Sequence, residues 1–267
     1  MSGPERTVRV ERDGGVAGIT LNRPDRLNAF DGRMHAELQA ALDELAADGE
    51  VRCLILRGEG KGFSAGADLR SEDLSREKDG EQPDLGEYLR RTYSRTVRKM
   101  VGMEKPIVGA LHGPVYGAGL GIALACDLRV AAESARFSAA FIRIGLMPDA
   151  GVSFFLPRVV GLGRAMEMSM LGDPVDAGEA HRIGLANKVV PDGMLLEEAQ
   201  ALARRLASLP TRALGQIKRS LYASFESDLE TALEREAEGQ SICGRTEDHR
   251  EGVAAFFERR EPRFSGR

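Results

Sequence analysis

The stretch PIVGALHGPVYGAGLGIALACDLRVA, residues 106–131, decides how this chain is built. Pro106-Ile107-Val108-Gly109-Ala110-Leu111 is an apolar run of strand length. Glycines follow at Gly113, Gly117, Gly119 and Gly121, then Ile122 to Cys126 reads as helix and Leu128-Arg129-Val130-Ala131 as strand. Strand, glycine-rich connection, helix and strand again is the alternation of an α/β fold. The same order stands upstream. Val8 and Val10 alternate with charged residues, Gly14-Gly15 reverses the chain, and Val16 to Leu21 continues extended until Asn22-Arg23-Pro24-Asp25 ends it. Asp31 reads as the N-cap of a helix carrying Met34, Leu38, Ala41, Leu42 and Leu45 on one face, stopped by Gly49. Val51 to Leu56 is the next strand, and a glycine loop from Gly58 to Asp68 follows it.

Beyond that loop, Ser71 to Asp84 is nearly all polar and has two readings, a solvated surface excursion or a mobile cover over a pocket. The spacing predicts one helix from about Leu85 to Val101, with Leu85, Leu89, Val97 and Met100 or Val101 as its buried edge. Downstream, Gly145-Leu146-Met147-Pro148-Asp149-Ala150-Gly151 precedes an apolar helix over Val152 to Val160. From about Asp192 the chain reads as helices, one through Leu195 to Leu206, one restarted by Pro210-Thr211, one capped by Asp228, and a last through Val253, Phe256 and Phe257. The expected organisation is a strand–helix core over residues 1–191 and a helical region over 192–267.

Composition narrows the function. The chain has 267 residues, 42% of them hydrophobic, and 37 Lys+Arg against 41 Asp+Glu leave a net charge of −4. That is enough apolar residue for a substantial core and argues against disorder. The slightly acidic balance offers no basic stripe for a nucleic acid. Cys53, Cys126 and Cys243 form neither a disulfide framework nor a metal-ligand spacing, which fits a reducing cytoplasm. No apolar run reaches the ~18 residues of a membrane span, and no signal-peptide pattern opens the sequence. His35, His112, His181 and His249 are dispersed, so a metal is not expected; His112 reads either as an ordinary core or surface histidine or as a pocket residue.

Two glycine loops follow strands, Phe63-Ser64-Ala65-Gly66-Ala67-Asp68-Leu69 and Gly117-Ala118-Gly119-Leu120-Gly121. One reading is that the glycines only permit tight turns and close packing. The other is that main-chain N–H groups of the two loops converge on one carbonyl oxygen and hold the negative charge of an enolate. Neither loop ends in the Gly-Lys-Ser/Thr of a phosphate-binding loop, no Gly-x-Gly-x-x-Gly fingerprint follows a strand, and no Gly-x-Ser-x-Gly elbow is present. Asp149 has a bland role as a helix cap and a sharp one as a base against an apolar wall.

At these residues the sequence resembles the crotonase superfamily, the enoyl-CoA hydratase/isomerase family. The likeness runs through Asn22-Arg23-Pro24, Leu27-Asn28-Ala29-Phe30, the Phe63 to Leu69 loop, Lys105 to Gly113, Gly117-Ala118-Gly119, Cys126-Asp127, Leu156-Pro157-Arg158 and Ala180 to Ala186. The resemblance implies a spiral of strand–strand–helix turns, with a C-terminal helical region that packs between subunits of a trimer or pair of trimers. It implies an acyl-CoA substrate and no permanently bound cofactor. It places the two thioester-binding amides at Ala67 and Ala118, the latter usually glycine in relatives. Ala65, Asp68, Leu69 and Phe141 become contacts to the CoA ester. Arg26 and Arg70 fall where relatives often carry basic contacts to CoA phosphates, and both read equally well as surface arginines.

The acids depart from the hydratase pattern. Hydratases of the family use two glutamates, and the matching positions here hold Gly121 and Phe141. Adding water needs one group to activate it and another to deliver a proton. Asp149, just after the proline of Gly145-Leu146-Met147-Pro148, is instead similar to the acid of one isomerase subset, of the ring-1,2-epoxyphenylacetyl-CoA and Δ3,Δ2-enoyl-CoA types. A single base there moves a proton between two carbons, its pKa raised by burial against Phe141, Leu146 and Phe154. The alternatives are a hydratase of unusual layout, an aryl-CoA dehalogenase, disfavoured because the chain has no Trp, and a CoA-ester-binding protein without catalysis.

Overall fold

The first hairpin forms as its alternation requires: β1 (Val8–Asp13) and β2 (Val16–Leu21) pair antiparallel about Gly14-Gly15. The computed structural model describes residues 6–71 and 84–267; the polar stretch over 72–83 therefore lies outside the described residues. Helix α1 (Gly32–Ala47) starts where expected, the Asp31 side chain accepting the Met34 N–H. Strand β3 (Cys53–Gly58) begins two residues after Val51, because Val51 still belongs to the turn in which its N–H bonds the Asp48 carbonyl.

Strands β4 (Ile107–Leu111), β6 (Leu128–Ala132) and β9 (Lys188–Val190) complete one sheet of order β1-β2-β3-β4-β6-β9, parallel from β2 onward. Its central strands are buried on both faces, which is why they read as continuous apolar runs. In β3, Leu54 and Leu56 enter the cluster beneath α1, while Cys53 and Ile55 face the other way. That second face is closed by α8 (Leu195–Ala207) through Leu195, Ala199, Ala203 and Ala207.

A smaller layer of β5 (Pro114–Tyr116), β7 (Arg136–Ser138) and β8 (Val175–Asp176) stands beside the first. Single bridges extend it: Ser64 pairs with Val115, and Phe30 with Ala67. Each circuit of the chain thus lays a strand in the large sheet, a strand or bridge in the small layer, and then a helix. This is the expected crotonase spiral. The C-terminal region adds α9 (Thr211–Ser224), α10 (Leu229–Cys243) and α11 (Glu247–Glu258). Lys218 on α9 ties it to the core, donating to Asp127 Oδ2 at 2.9 Å and to the Met100 carbonyl at 2.7 Å.

Two helices differ from the sequence reading. The single helix expected over 85–101 is broken at Thr92 into α2 (Leu85–Arg91) and α3 (Tyr93–Gly102). Thr92 leaves helical geometry, its Oγ1 donates to the Tyr88 carbonyl at 2.6 Å, and the Gln39 side-chain amide donates to the Thr92 carbonyl at 3.2 Å. The buried edge is accordingly Tyr88, Tyr93, Thr96 and Met100, while Leu85 is exposed. Helix α4 (Ala118–Leu124) starts four residues before Ile122, within what read as a glycine loop. The chain between 161 and 191, left unassigned by periodicity, holds α6 (Leu162–Leu171) and α7 (Ala177–Arg182) besides β8 and β9, and α5 (Val152–Val160) precedes them.

Candidate active site

Consecutive circuits of the spiral stack the two glycine loops against each other. Ser64 organises the first: its Oγ donates to the Asn28 carbonyl at 2.8 Å and accepts the Gly66 N–H at 3.1 Å. The Gly66 carbonyl accepts from Phe30 N–H, and the Asp68 N–H donates to the Phe30 carbonyl, each at 2.8 Å. A bridge of that kind turns the intervening Ala67 N–H away from Phe30. Gly66 has φ 99, and a Cβ there would lie 2.9 Å from the Tyr116 carbonyl oxygen and 3.3 Å from the Ala118 nitrogen. Only glycine lets the loops approach this closely. Ala118 is the first residue of α4, so its N–H has no partner within the helix. Among the described residues no hydrogen bond takes up the N–H of Ala67 or Ala118.

Both loops border a cavity of about 530 Å³. Ala65, Gly66, Ala67 and Leu69 line it from the first loop, and Tyr116, Gly117 and Ala118 from the second. Phe141, Arg143, Ile144, Leu146 and Asp149 supply one wall, and Leu85, Tyr88, Leu89 and Tyr93 of α2 and α3 the facing one. Asp149 is the one carboxylate among the described lining residues. It does not cap α5: the N-cap is Gly151, without a side-chain bond, and only the Asp149 carbonyl is engaged, by Val152 N–H at 2.9 Å. Its Oδ1 is buried with no hydrogen-bond partner among the described residues. Burial raises its pKa from 3.8 to about 6.

The wall beside Asp149 differs from expectation in one residue. Phe141 and Leu146 are there, but Phe154 is turned away, edge-on to Phe155 and under the Arg158 guanidinium, 3.8 Å from its ring centroid. Tyr88 and Tyr93 take its place, residues that the sequence reading missed by counting leucines and valines along one unbroken helix. The Tyr93 ring is fixed by edge-on packing against His35, centroids 4.2 Å apart, and against Phe30 at 5.6 Å. Burial, then Tyr88 and Asp149, push the Tyr93 phenol up, so it stays protonated. Burial holds the His35 pKa down at about 3, leaving that ring neutral, and neither of its nitrogens has a partner among the described residues.

The other residues named from the sequence are distributed as follows. Ala65, Leu69 and Phe141 line the cavity; Asp68, Arg26 and Arg70 do not. The Asp68 carboxylate is engaged by Arg23 at 2.9 Å and by the Arg70 N–H at 3.1 Å. Burial raises its pKa, but the Arg23 contact and the Arg70 N–H outweigh that and hold it below the ordinary value. Arg23 also reaches Asp31 at 3.2 Å and the Ala29 carbonyl, so Asp68 fastens the loop rather than facing the cavity. The fully buried Asn28 does likewise, donating to the Glu59 and Gly62 carbonyls and accepting Arg23 N–H. Arg26 and Arg70 are exposed; Arg26 lies 3.7 Å from Asp25. His112 bonds the Gly60 carbonyl at 2.9 Å and stands outside the cavity lining. Among the described residues, no three His, Cys, Asp or Glu side chains cluster as metal ligands, and no helix is long and apolar enough to cross a membrane.

Comparison with known proteins identifies the family. Residues 11–267 match the family described as enoyl-CoA hydratase/isomerase. The chain is 43% identical to the 1,2-epoxyphenylacetyl-CoA isomerase of Escherichia coli K12, over 95% of this chain and 96% of that protein. It is 40% identical to a Rhodobacter capsulatus protein named a probable enoyl-CoA hydratase, over 98% of both. The crystal structure of an enoyl-CoA hydratase from Mycobacterium smegmatis superposes with a TM-score of 0.90 at 32% identity, covering 97% of this chain and 99% of that one. Spiral, paired loops and sequence together assign the chain to the enoyl-CoA hydratase/isomerase family of the crotonase superfamily.

Proposed function

We propose that this protein is an enoyl-CoA isomerase with Asp149 as its single acid/base. The observation that supports the reading best is a partly desolvated carboxylate, the one among the described lining residues, with a pKa of about 6, in the cavity bordered by the Ala67 and Ala118 N–H groups. The ionised Asp149 takes a proton from carbon 2 of a 3-enoyl thioester. The electron pair of that C–H bond moves onto the thioester oxygen, where the two N–H groups hold the enolate. The enolate then collapses, the double bond shifts to carbons 2 and 3, and Asp149 returns its proton to carbon 4. Losing one oxyanion donor typically costs about 10²–10³ in turnover. A pKa near neutrality lets one group take and return a proton without a large penalty in either direction.

The hydratase layout is supported by the names of several relatives, the Rhodobacter capsulatus protein among them. It calls for a second acid, and none stands among the described lining residues; the two positions that match hydratase glutamates carry Gly121 and Phe141. Asp149→Asn separates the readings. Binding of an unreactive acyl-CoA is expected to persist while turnover of a 3-enoyl-CoA falls by roughly 10²–10⁴-fold. Unchanged isomerisation in that variant, or wild-type conversion of a 2-enoyl-CoA to a 3-hydroxyacyl-CoA at a comparable rate, would overturn the proposal.

Two further roles belong to the same proposal. Arg26 and Arg70, exposed near the Ala65 to Leu69 loop, contact the CoA phosphates, and charge-removing substitutions raise KM for CoA esters without changing kcat. The chain works as a homotrimer or a pair of trimers. The exposed apolar side chains Leu221, Leu229, Phe256 and Phe257 of α9 to α11 support subunit packing there, and sedimentation measures it.

A further inference from the structure

Helix α4 does more than present the Ala118 amide. One turn on, Gly121 lies directly beneath the turn that carries Asp149. A Cβ at position 121 would stand 2.4 Å from the Ala150 carbonyl oxygen, 2.7 Å from the Ala150 methyl and 3.0 Å from its carbonyl carbon. These are main-chain atoms and a methyl group, with no flexible side chain to swing aside. Ala150 itself is buried and sits at φ 51, a left-handed conformation that L residues seldom adopt. The turn is therefore pressed into the space left by the missing side chain.

We propose that Gly121 is the positioning residue for Asp149, seating the Pro148-Asp149-Ala150 turn on α4 so that the carboxylate and the Ala118 N–H are held on one rigid element. A consequence is conflict: on this backbone a side chain at position 121 collides with Ala150, so the turn that carries Asp149 shifts to admit it. The catalytic part of this inference rests on the isomerase reading above; the seating does not.

The experiment compares wild type with Gly121→Ala, the smallest side chain that collides. Three quantities are measured: kcat and KM for a 3-enoyl-CoA, affinity for an unreactive acyl-CoA, and the titration of the Asp149 carboxyl by ¹³C NMR. The charged or titratable side chains lining the same cavity among the described residues are Tyr88 and Tyr93 of α2 and α3, Tyr116, and Arg143; none is altered by the substitution. An ångström-scale displacement of the base costs on the order of 10²-fold in kcat. The expected result is a fall of that size, with affinity for the unreactive ester within about threefold, since displacing the turn leaves the two backbone donors in place. The Asp149 titration moves from about 6 toward the ordinary carboxylate range as water reaches it. Unchanged kcat and unchanged titration in a folded Gly121→Ala protein overturn the seating. Should that variant not fold, Ala150→Gly loosens the same contact from the other side by removing the methyl. It is expected to shift both quantities the same way by a smaller amount, and no shift in either overturns the inference. A titration that moves while Asp149→Asn keeps full isomerase activity supports the seating and refutes only the catalytic role.

Discussion

Replacing Asp149 by Asn should make the protein more stable at neutral pH and hardly more stable in acid. The folded carboxyl titrates at about 6 and its ordinary value is 3.8, so ionising it costs more inside the fold than in the unfolded chain. The sign follows from linkage. Between pH 3.8 and 6 the unfolded chain gives up the proton and the folded one keeps it, so stability declines with rising pH through that window and is flat above it. A gap of that size corresponds to about 3 kcal/mol at pH 7.5, and to about 1 kcal/mol at pH 4.5, where most of the native carboxyl is still neutral. Asparagine carries no charge at either pH, although its amide remains poorly paired. Urea unfolding of both proteins at pH 4.5, 5.5, 6.5 and 7.5 gives the difference directly. Other titrating groups cancel, because both proteins share them. The excess stability of the variant should grow by about 2 kcal/mol between the extremes, with the rise centred between pH 4 and 6. A difference that is constant with pH, or that shrinks toward neutrality, would show that Asp149 ionises in the fold as easily as in water, and the argument for a poised base would go with it.

The remaining expectations concern the same buried groups and their supports. If ionised Asp149 is the base, kcat/KM for a 3-enoyl-CoA falls tenfold per pH unit below about 6 and is level above it; a profile breaking near 4 refutes this. The depressed pKa of His35 acts with the opposite sign, giving stability that is full above pH 6.5 and lost progressively toward pH 3. Replacing it by Phe, which fits the same aromatic cluster, should remove about 2 kcal/mol of acid sensitivity at pH 5; an acid limb identical to wild type in urea unfolding counts against this. Lys218→Met leaves the Asp127 carboxylate without its ammonium partner, and its pKa is raised by burial even with that partner present. A loss of about 3 kcal/mol is expected from a shift in the urea midpoint at constant slope, and a loss below about 0.5 kcal/mol refutes a structural role for the pair.

Some of this molecule is readable without coordinates and some is not, for physical reasons. Strands such as Leu54-Ile55-Leu56 announce themselves because both faces are buried, so their composition carries the tertiary context. The start of α1 is equally local, since Asp31 caps it from three residues away. The break at Thr92 is not local: the Gln39 side chain, 53 residues earlier, donates across it to the Thr92 carbonyl and to Thr96 Oγ1, and beyond it Tyr93 rather than a leucine lines the cavity. The onset of α4 at Ala118 was hidden because glycine argues against helix, whereas here Gly121 is required by what rests on it. Asp68 shows the same limit from the chemical side. An acid next to a ligand-binding loop invites a contact with substrate, and only the arginine 45 residues upstream shows it to be a fastening.

The two proposed backbone donors, Ala67 and Ala118, come from consecutive circuits of the spiral, whose loops meet at Gly66. A main-chain N–H does not depend on the identity of any side chain pointing into the cavity. If those amides hold the thioester oxygen as proposed, mutation can exchange acids, aromatics and lining aliphatics around it without disturbing that receptor, and the reaction is free to drift while the receptor is inherited. A chain that is about equally similar to a named isomerase and to a named hydratase is what such an architecture leads one to expect.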